Sequence, residues 1–276
     1  RLWIKPAGDL CHTRCSRLFA LQGMFMSVLT LAAAQTASIA GDLPANLARH
    51  QQLMQLAAAQ GVQLLVFPEL SLTGYEPQLA AELALMPDAP QLRPLRDLAR
   101  ELELTAVVGM PIRLSVDGPV LIGALVLGGD GSLAVYTKQH LHAGEERAFV
   151  AGRGGAPLPI GGETVALAVC ADFCHASHVQ AAADAGAGIY AAGVLISEGG
   201  YAADSAQLQG YAQEHGMLVL MANHGGPSGG WACAGRSAAW DARGRLLGTV
   251  EGVGEALLIV RGGTGQWQAQ VLEVSH

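Results

Sequence analysis

Five apolar residues, Val165-Ala166-Leu167-Ala168-Val169, run unbroken from the polar side of Gly161-Gly162 to Cys170-Ala171-Asp172. A strand with one face in water alternates apolar and polar residues, so an unbroken run belongs to a strand covered on both faces. The chain around it must therefore supply layers above and below. With 276 residues, 51% hydrophobic and 14% charged, it has the material to do so. In open α/β sheets, ligands meet the protein beyond the carboxyl ends of the strands. Cys170 stands at such an end.

A lone cysteine there is usually packing, because cysteine is among the most buried residue types. Two other stretches change its meaning. Val66-Phe67-Pro68-Glu69 and Tyr136-Thr137-Lys138-Gln139-His140-Leu141 place a carboxylate and an ammonium just beyond two further apolar strands.

The rest of the chain reads as alternating strands and helices. Ser27–Gln35 is a strand. Asp42 is an N-cap with Pro44 in the first turn, and Leu47, Met54 and Ala58 follow at helical spacing. Leu64–Phe67 is a short strand stopped by Pro68. Helical segments over Gln78–Leu85 and Leu92–Leu102 precede a strand at Thr105–Gly109, with Pro111 beyond it. Val120–Leu127 and Leu133–Thr137 form a hairpin across Gly128-Gly129-Asp130-Gly131. After the Thr164–Cys170 strand come a helix at His175–Ala185, a strand at Gly188–Ser197, a helix at Ala203–His215 and a strand at Leu218–Ala222. Ala234–Asp241, Leu246–Val250 and Ala256–Val260 close the chain as β segments. Alternation that gives way to hairpins and returns points to a layered α/β domain with a mixed sheet or two packed sheets.

Residues 27–276 show no disordered linker and no repeat, so they form one domain; residues 1–26 read as a leader or extension outside it. Arg14, Arg17 and the run into Ala32-Ala33-Ala34 resemble a signal peptide, but Asp42-Leu43-Pro44 follows at normal loop spacing if Ser27–Gln35 is the first strand. No apolar run is long enough to span a membrane. A net charge of −7 argues against nucleic acid as partner. Five scattered cysteines do not form a disulfide framework, so a reducing compartment, the cytoplasm, is expected. Cys11, His12 and Cys15 lack a second pair nearby and make a poor zinc signal.

A thiol becomes a nucleophile when a neighbouring carboxylate takes its proton. Attack on a carbonyl makes an oxyanion, which a lysine and backbone N–H groups stabilise. The same carboxylate returns the proton to the leaving amine. Glu69, Lys138 and Cys170 are therefore a sufficient kit for splitting a carbon–nitrogen bond. No serine–histidine motif competes: Gly-x-Ser-x-Gly, a P-loop and a complete Rossmann fingerprint are all expected to be absent.

Ala34-Gln35, Phe67-Pro68-Glu69 with Thr73-Gly74-Tyr75, Tyr136 to Leu141, and Cys170-Ala171-Asp172 together resemble the nitrilase superfamily of carbon-nitrogen hydrolases. The resemblance runs from Ser27 to Val260. It implies a four-layer α-β-β-α sandwich and a Glu69-Lys138-Cys170 triad. Glu69 would be the general base and acid, Cys170 would form a thioester, and Lys138 with the N–H of Ala171 would hold the oxyanion. A second catalytic glutamate is implied at Glu145, with Phe149 and Gly152 following in the family pattern; Glu146 is the adjacent alternative. Tyr75, Phe149, His175, Glu214 and Asn223 would bind substrate or lie near it. The resemblance implies no cofactor and no metal, a small amide or N-carbamoyl compound as substrate, and assembly through the α faces into a homodimer or larger homo-oligomer.

The sequence departs from the family in places. Phe173-Cys174-His175-Ala176-Ser177-His178 stands where an aromatic, arginine and Phe-Pro-Glu are usual, and Tyr211 replaces an arginine. His175 and His178 read as helix N-terminal residues or pocket walls. A metal site from Cys170, Asp172, Cys174, His175 and His178 would leave Glu69 and Lys138 unexplained. Nitrilases usually carry Trp-Glu after the cysteine, and Ala171-Asp172 favours an amidase over a nitrilase. A non-catalytic scaffold relative would be expected to lack a triad member, and none is lacking.

Overall fold

The computed structural model describes residues 28–263 and 266–274. The expected leader, with Cys11, His12 and Cys15, lies outside the described residues.

The chain begins with β1 (Leu29–Gln35), α1 (Leu43–Ala59), β2 (Leu64–Val66), α2 (Ala80–Leu83) and α3 (Arg93–Glu101). It continues through β3 (Thr105–Ile112), β4 (Leu121–Leu127), β5 (Leu133–Thr137), β6 (Leu158–Ile160) and β7 (Glu163–Val169). Then come α4 (Ala176–Asp184), β8 (Ile189–Val194), α5 (Tyr201–His215) and β9 (Leu218–Asn223). Four strands finish it: β10 (Ala238–Trp240), β11 (Leu246–Thr249), β12 (Ala256–Gly263) and β13 (Gln266–Glu273).

The strands make two sheets, one of seven in the order β13-β12-β1-β2-β3-β4-β5 and one of six in the order β11-β10-β9-β8-β7-β6. The period of two along each strand sorts side chains into layers. Leu31 and Ala33 of β1 pack between the sheets with Val165, Leu167 and Val169 of β7. Their neighbours Ala32 and Ala34 face outward onto Leu53 and Met54 of α1 and Leu95 of α3. Ala166 and Ala168 face the other way, onto Val179 of α4 and Leu208 and Ala212 of α5. The result is an α-β-β-α sandwich, and it explains the unbroken apolar run in β7, which is covered on both faces.

Local chemistry sets the element ends. Asp42 caps α1 by accepting the Ala45 N–H at 3.0 Å, a contact worth about 1 kcal/mol. Pro111 lies within β3, which runs further than the Thr105–Gly109 expected. Its carbonyl accepts the Leu85 N–H, so the side of the residue that lacks an N–H faces away from β4 and no ladder bond is lost. The Gln78–Leu85 segment is a 3-10 turn followed by the single turn α2. β7 stops at Val169, one residue before Cys170, and β8 stops at Val194 rather than Ser197.

Candidate active site

Cys170 opens a short 3-10 turn, Cys170–Cys174, and its backbone has φ of 44°, in the left-handed region that β-substituted residues avoid. This turn lifts the thiol off the end of β7 and into a cavity of about 260 Å³. The Sγ donates weakly to the Leu195 carbonyl at 3.6 Å. Ala171 lines the same cavity, and N–H groups in the first turn of a helix have no intrahelical acceptor.

Glu69 reaches the cavity from the loop after β2. That loop is squeezed between the sheets. A Cβ on Gly193 of β8 would lie 2.5 Å from the Phe67 carbonyl oxygen, and one on Gly109 of β3 would lie 2.6 Å from that of Pro68. Leu70, next in the chain, is buried with φ of 52°. His224, at the end of β9, places Nε2 2.7 Å from the Glu69 carbonyl oxygen, so Nε2 carries the proton. Burial pulls the His224 pKa down to about 4, and the ring is neutral at ordinary pH.

Lys138 follows β5. Its ammonium donates to Glu69 Oε1 at 2.6 Å and to Glu145 Oε1 at 2.8 Å. Glu145 also accepts the Tyr75 hydroxyl at 2.7 Å and the His142 N–H at 2.8 Å. Of the adjacent glutamates, Glu145 is buried against Lys138 and Glu146 is exposed. Burial disfavours the Lys138 ammonium, but the charges of Glu69, of Cys170 once it is ionised, and of Glu145 outweigh it and hold the pKa above its ordinary value. Burial raises the Glu69 pKa; Lys138 opposes this and Glu145 adds to it. Burial, then the Glu69 charge, pushes the Cys170 thiol well above its ordinary pKa. The resting cysteine is therefore a thiol, and it needs a base at the moment of attack. Glu69 Oε2 is buried with no hydrogen-bond partner among the described residues, which leaves it able to accept that proton.

Asp172 ties the segments together. Fully buried, it accepts the N–H groups of Gln139 and His140, both at 2.9 Å, on Oδ1, and the Tyr136 hydroxyl at 2.7 Å and Val169 N–H at 3.1 Å on Oδ2. Because Tyr136 donates to Asp172, it accepts from His178 Nε2 at 2.7 Å, and His178 Nδ1 in turn accepts from Tyr190 at 2.9 Å. His178 thus stands behind Asp172 rather than in the pocket wall.

The other expected residues fall in different places. Tyr75 lines the cavity. Phe149 is buried between the sheets, its N–H bonded to the Glu145 carbonyl. His175 is exposed at the start of α4, its ring 3.9 Å from that of His140. Glu214 is exposed on α5. Neither Phe149, His175, Glu214 nor Asn223 lines the cavity. Asn223 works one layer back: its amide pairs with both backbone groups of Ile196, at 2.8 and 3.0 Å, and fixes the wall formed by Leu195 and Ser197. Asp204, Ser197 and Trp231 also line the cavity and were not foreseen. Gly226-Pro227-Ser228-Gly229-Gly230 does spell Gly-x-Ser-x-Gly, against expectation. Ser228, however, is buried in a turn and accepts the Tyr75 N–H at 2.8 Å; it lacks the strand–turn–helix setting of a nucleophile. Among the described residues, no group of three or more His, Cys, Asp or Glu is arranged to hold a metal.

The profile of the carbon-nitrogen hydrolases matches residues 30–268. The chain belongs to the carbon-nitrogen hydrolase family. Solved structures similar to this family member include a mutant of the amidase from Nesterenkonia sp. AN1 showing covalent addition of the acetamide moiety of fluoroacetamide at the active-site cysteine. That likeness has a TM-score of 0.75 and 31% identity over 84% of this chain and 89% of that one. A cysteine-to-alanine mutant of the same amidase in complex with butyramide matches with a TM-score of 0.75 and 31% identity, over 84% and 90% of the two chains. A nitrilase from Pyrococcus abyssi (strain GE5 / Orsay) is 30% identical over 152 residues, 53% of this carbon-nitrogen hydrolase and 57% of that protein. The chain thus matches little more than half the length of that relative. Among the described residues no helix is long and apolar enough to cross a membrane.

Proposed function

We propose that this chain hydrolyses the carbon–nitrogen bond of a small amide through a thioester on Cys170. The observation that carries this reading is the buried Glu69–Lys138–Glu145 cluster beside a cysteine held on a strained turn at the cavity floor. Glu69 Oε2 takes the thiol proton as Sγ attacks the amide carbon. An ammonium has three N–H groups; Glu69 and Glu145 take two from Lys138, and the third, with the Ala171 N–H, meets the oxyanion. Glu69 then protonates the leaving nitrogen, which departs as ammonia or amine and leaves the acyl group on sulfur. Water, deprotonated by Glu69, attacks the thioester and releases the acid, and the proton returns to the thiolate. Glu145, anchored by Tyr75 and His142, keeps Lys138 and the amide in place. One mutant of the similar amidase binds butyramide and another carries the acetamide moiety of fluoroacetamide on its active-site cysteine, which supports an amide substrate and a cysteine nucleophile.

Ammonia release from a panel of amides and matching nitriles is the test. Amides should be turned over and nitriles poorly, and Cys170→Ala should remove the activity by about a thousandfold or more with the melting temperature unchanged. Near-normal turnover by Cys170→Ala would end the thioester mechanism. We also propose that the protein works as a dimer or larger assembly, with the exposed Ala181 on α4 and Ala185 at its C-cap allowing close helix approach. Light scattering at micromolar concentration showing only monomer mass would remove that claim.

A further inference from the structure

Charge in the catalytic cavity is one-sided. Lys138 is fully buried and ion-paired with both Glu69 and Glu145, so its charge is already balanced. Among the described residues the lining contains no arginine and no lysine, yet it contains a third carboxylate, Asp204, in the first turn of α5. Asp204 is half-buried. Burial pushes its carboxyl up; His142 alone draws it down, and no hydrogen bond among the described residues contributes. Ser197 and Gly200 border it in the same wall. An anionic substrate would lose water on entering and find no lysine or arginine to replace it, only the His142 imidazole. A cationic one would meet a carboxylate ready for a charge-assisted hydrogen bond.

We infer, on the amide-hydrolase reading above, that the preferred substrates are short aliphatic amides bearing an ammonium group at the end remote from the scissile amide, and that Asp204 selects them. The cavity, about 260 Å³, lies below the range of roughly 300–1,000 Å³ typical of drug-sized ligand sites, which limits the substrate to a short chain. Asp204 also sits where a carboxylate favours a helix N-terminus. A role confined to the helix would act on every substrate alike.

The test compares kcat and KM at pH 8 for 4-aminobutyramide, its neutral isostere pentanamide, and succinamate, with the wild-type chain and Asp204→Asn. Wild type should favour the cationic amide over pentanamide by about tenfold in kcat/KM, the worth of a hydrogen bond to a charged group. The difference should lie in KM, and succinamate should be poorest. Asp204→Asn should erase the preference while leaving pentanamide hydrolysis within about twofold, since no contact to a neutral tail is lost. Equal use of the three amides, a preference for succinamate, or a uniform loss in Asp204→Asn would overturn the assignment. If none of the three is hydrolysed, the amidase reading has failed, and calorimetry decides the charge question separately. Cys170→Ala should then bind 4-aminobutyramide more tightly than pentanamide, and Cys170→Ala/Asp204→Asn should not. Equal affinities, or no binding of either, would overturn the selection by Asp204.

Discussion

The carboxylate of Asp172 accepts the backbone N–H of Gln139 at 2.9 Å. The bond joins the residue after Lys138 to the turn that carries Cys170, two segments that belong to different sheets. With its four hydrogen bonds, Asp172 is the peg that sets the ammonium and the thiol at a fixed separation.

Asp172→Asn should therefore impair both stability and rate. Asparagine keeps one acceptor oxygen, so its NH₂ must face either Gln139 and His140 or Tyr136 and Val169, all of them donors. Leaving such buried donors unpaired costs about 1–3 kcal/mol. Thermal unfolding should show that loss, and kcat should fall by about tenfold or more as the reacting groups drift apart. A variant with normal kcat and a lowered melting temperature would show that Asp172 serves the fold alone.

Gly193→Ala tests how tightly the Glu69 loop is clamped. The added methyl would sit 2.5 Å from the Phe67 carbonyl oxygen, so the loop must move. Overpacking of this kind costs about 1–3 kcal/mol, and a displacement near 1 Å at a catalytic group can cost about a hundredfold in rate. We expect kcat to fall far more than stability. A normal kcat with Gly193→Ala would mean that the loop yields without moving the carboxylate.

Lys138→Arg should not rescue function. The ammonium is fully buried between two carboxylates at 2.6 and 2.8 Å, and a planar guanidinium is wider and cannot occupy the place of a compact point charge. The arginine variant should be as inactive in ammonia release as Lys138→Ala. Retained activity would reduce Lys138 to an ion-pair partner.

The layered fold was legible because β7 and its neighbours are apolar on both faces, and the strand ends carrying Glu69, Lys138 and Cys170 follow directly from those runs. β13 was not foreseen. Its Trp267, Ala269 and Val271 alternate with glutamines, and a half-exposed edge strand carries too few apolar residues to stand out. β6 is three residues with a central proline, and only its pairing with β7 makes it a strand. The supporting residues were harder. Asp172 read as a possible metal ligand, since nothing local reveals that its partners lie in the Tyr136–His140 segment. His224 and Asp204 come to the site through β9 and α5, and their roles depend on how the sheets are stacked, which residue spacing does not encode. Asp204 also reads, in sequence, like any carboxylate near the start of a helix.

The final prediction separates the two buried glutamates by their opposite effects on pH dependence. Glu69 is proposed to move protons to and from sulfur and the leaving nitrogen, and glutamine cannot accept a proton, so Glu69→Gln should be nearly inactive at every pH. Glu145 acts on its neighbours through charge. It is one of the charges that raise the Lys138 pKa, and it also raises that of Glu69. Glu145→Gln removes a charge opposite to the ammonium, so the Lys138 pKa falls and the alkaline limb of the acylation profile moves to lower pH. The same change removes a charge like that of Glu69, so the Glu69 pKa falls, its base form persists to lower pH, and the acid limb also moves down. Both limbs should thus shift in one direction, with a reduced maximum because the Tyr75 and His142 contacts to Glu145 are weakened. Single-turnover acylation rates measured across pH for wild type, Glu69→Gln, Glu145→Gln and Glu146→Gln would show this. Glu146 is exposed and bonded to the Gly144 N–H at 2.7 Å, so Glu146→Gln should reproduce the wild-type profile. If Glu146→Gln shifts both limbs and Glu145→Gln shifts neither, the second glutamate has been assigned one residue too early.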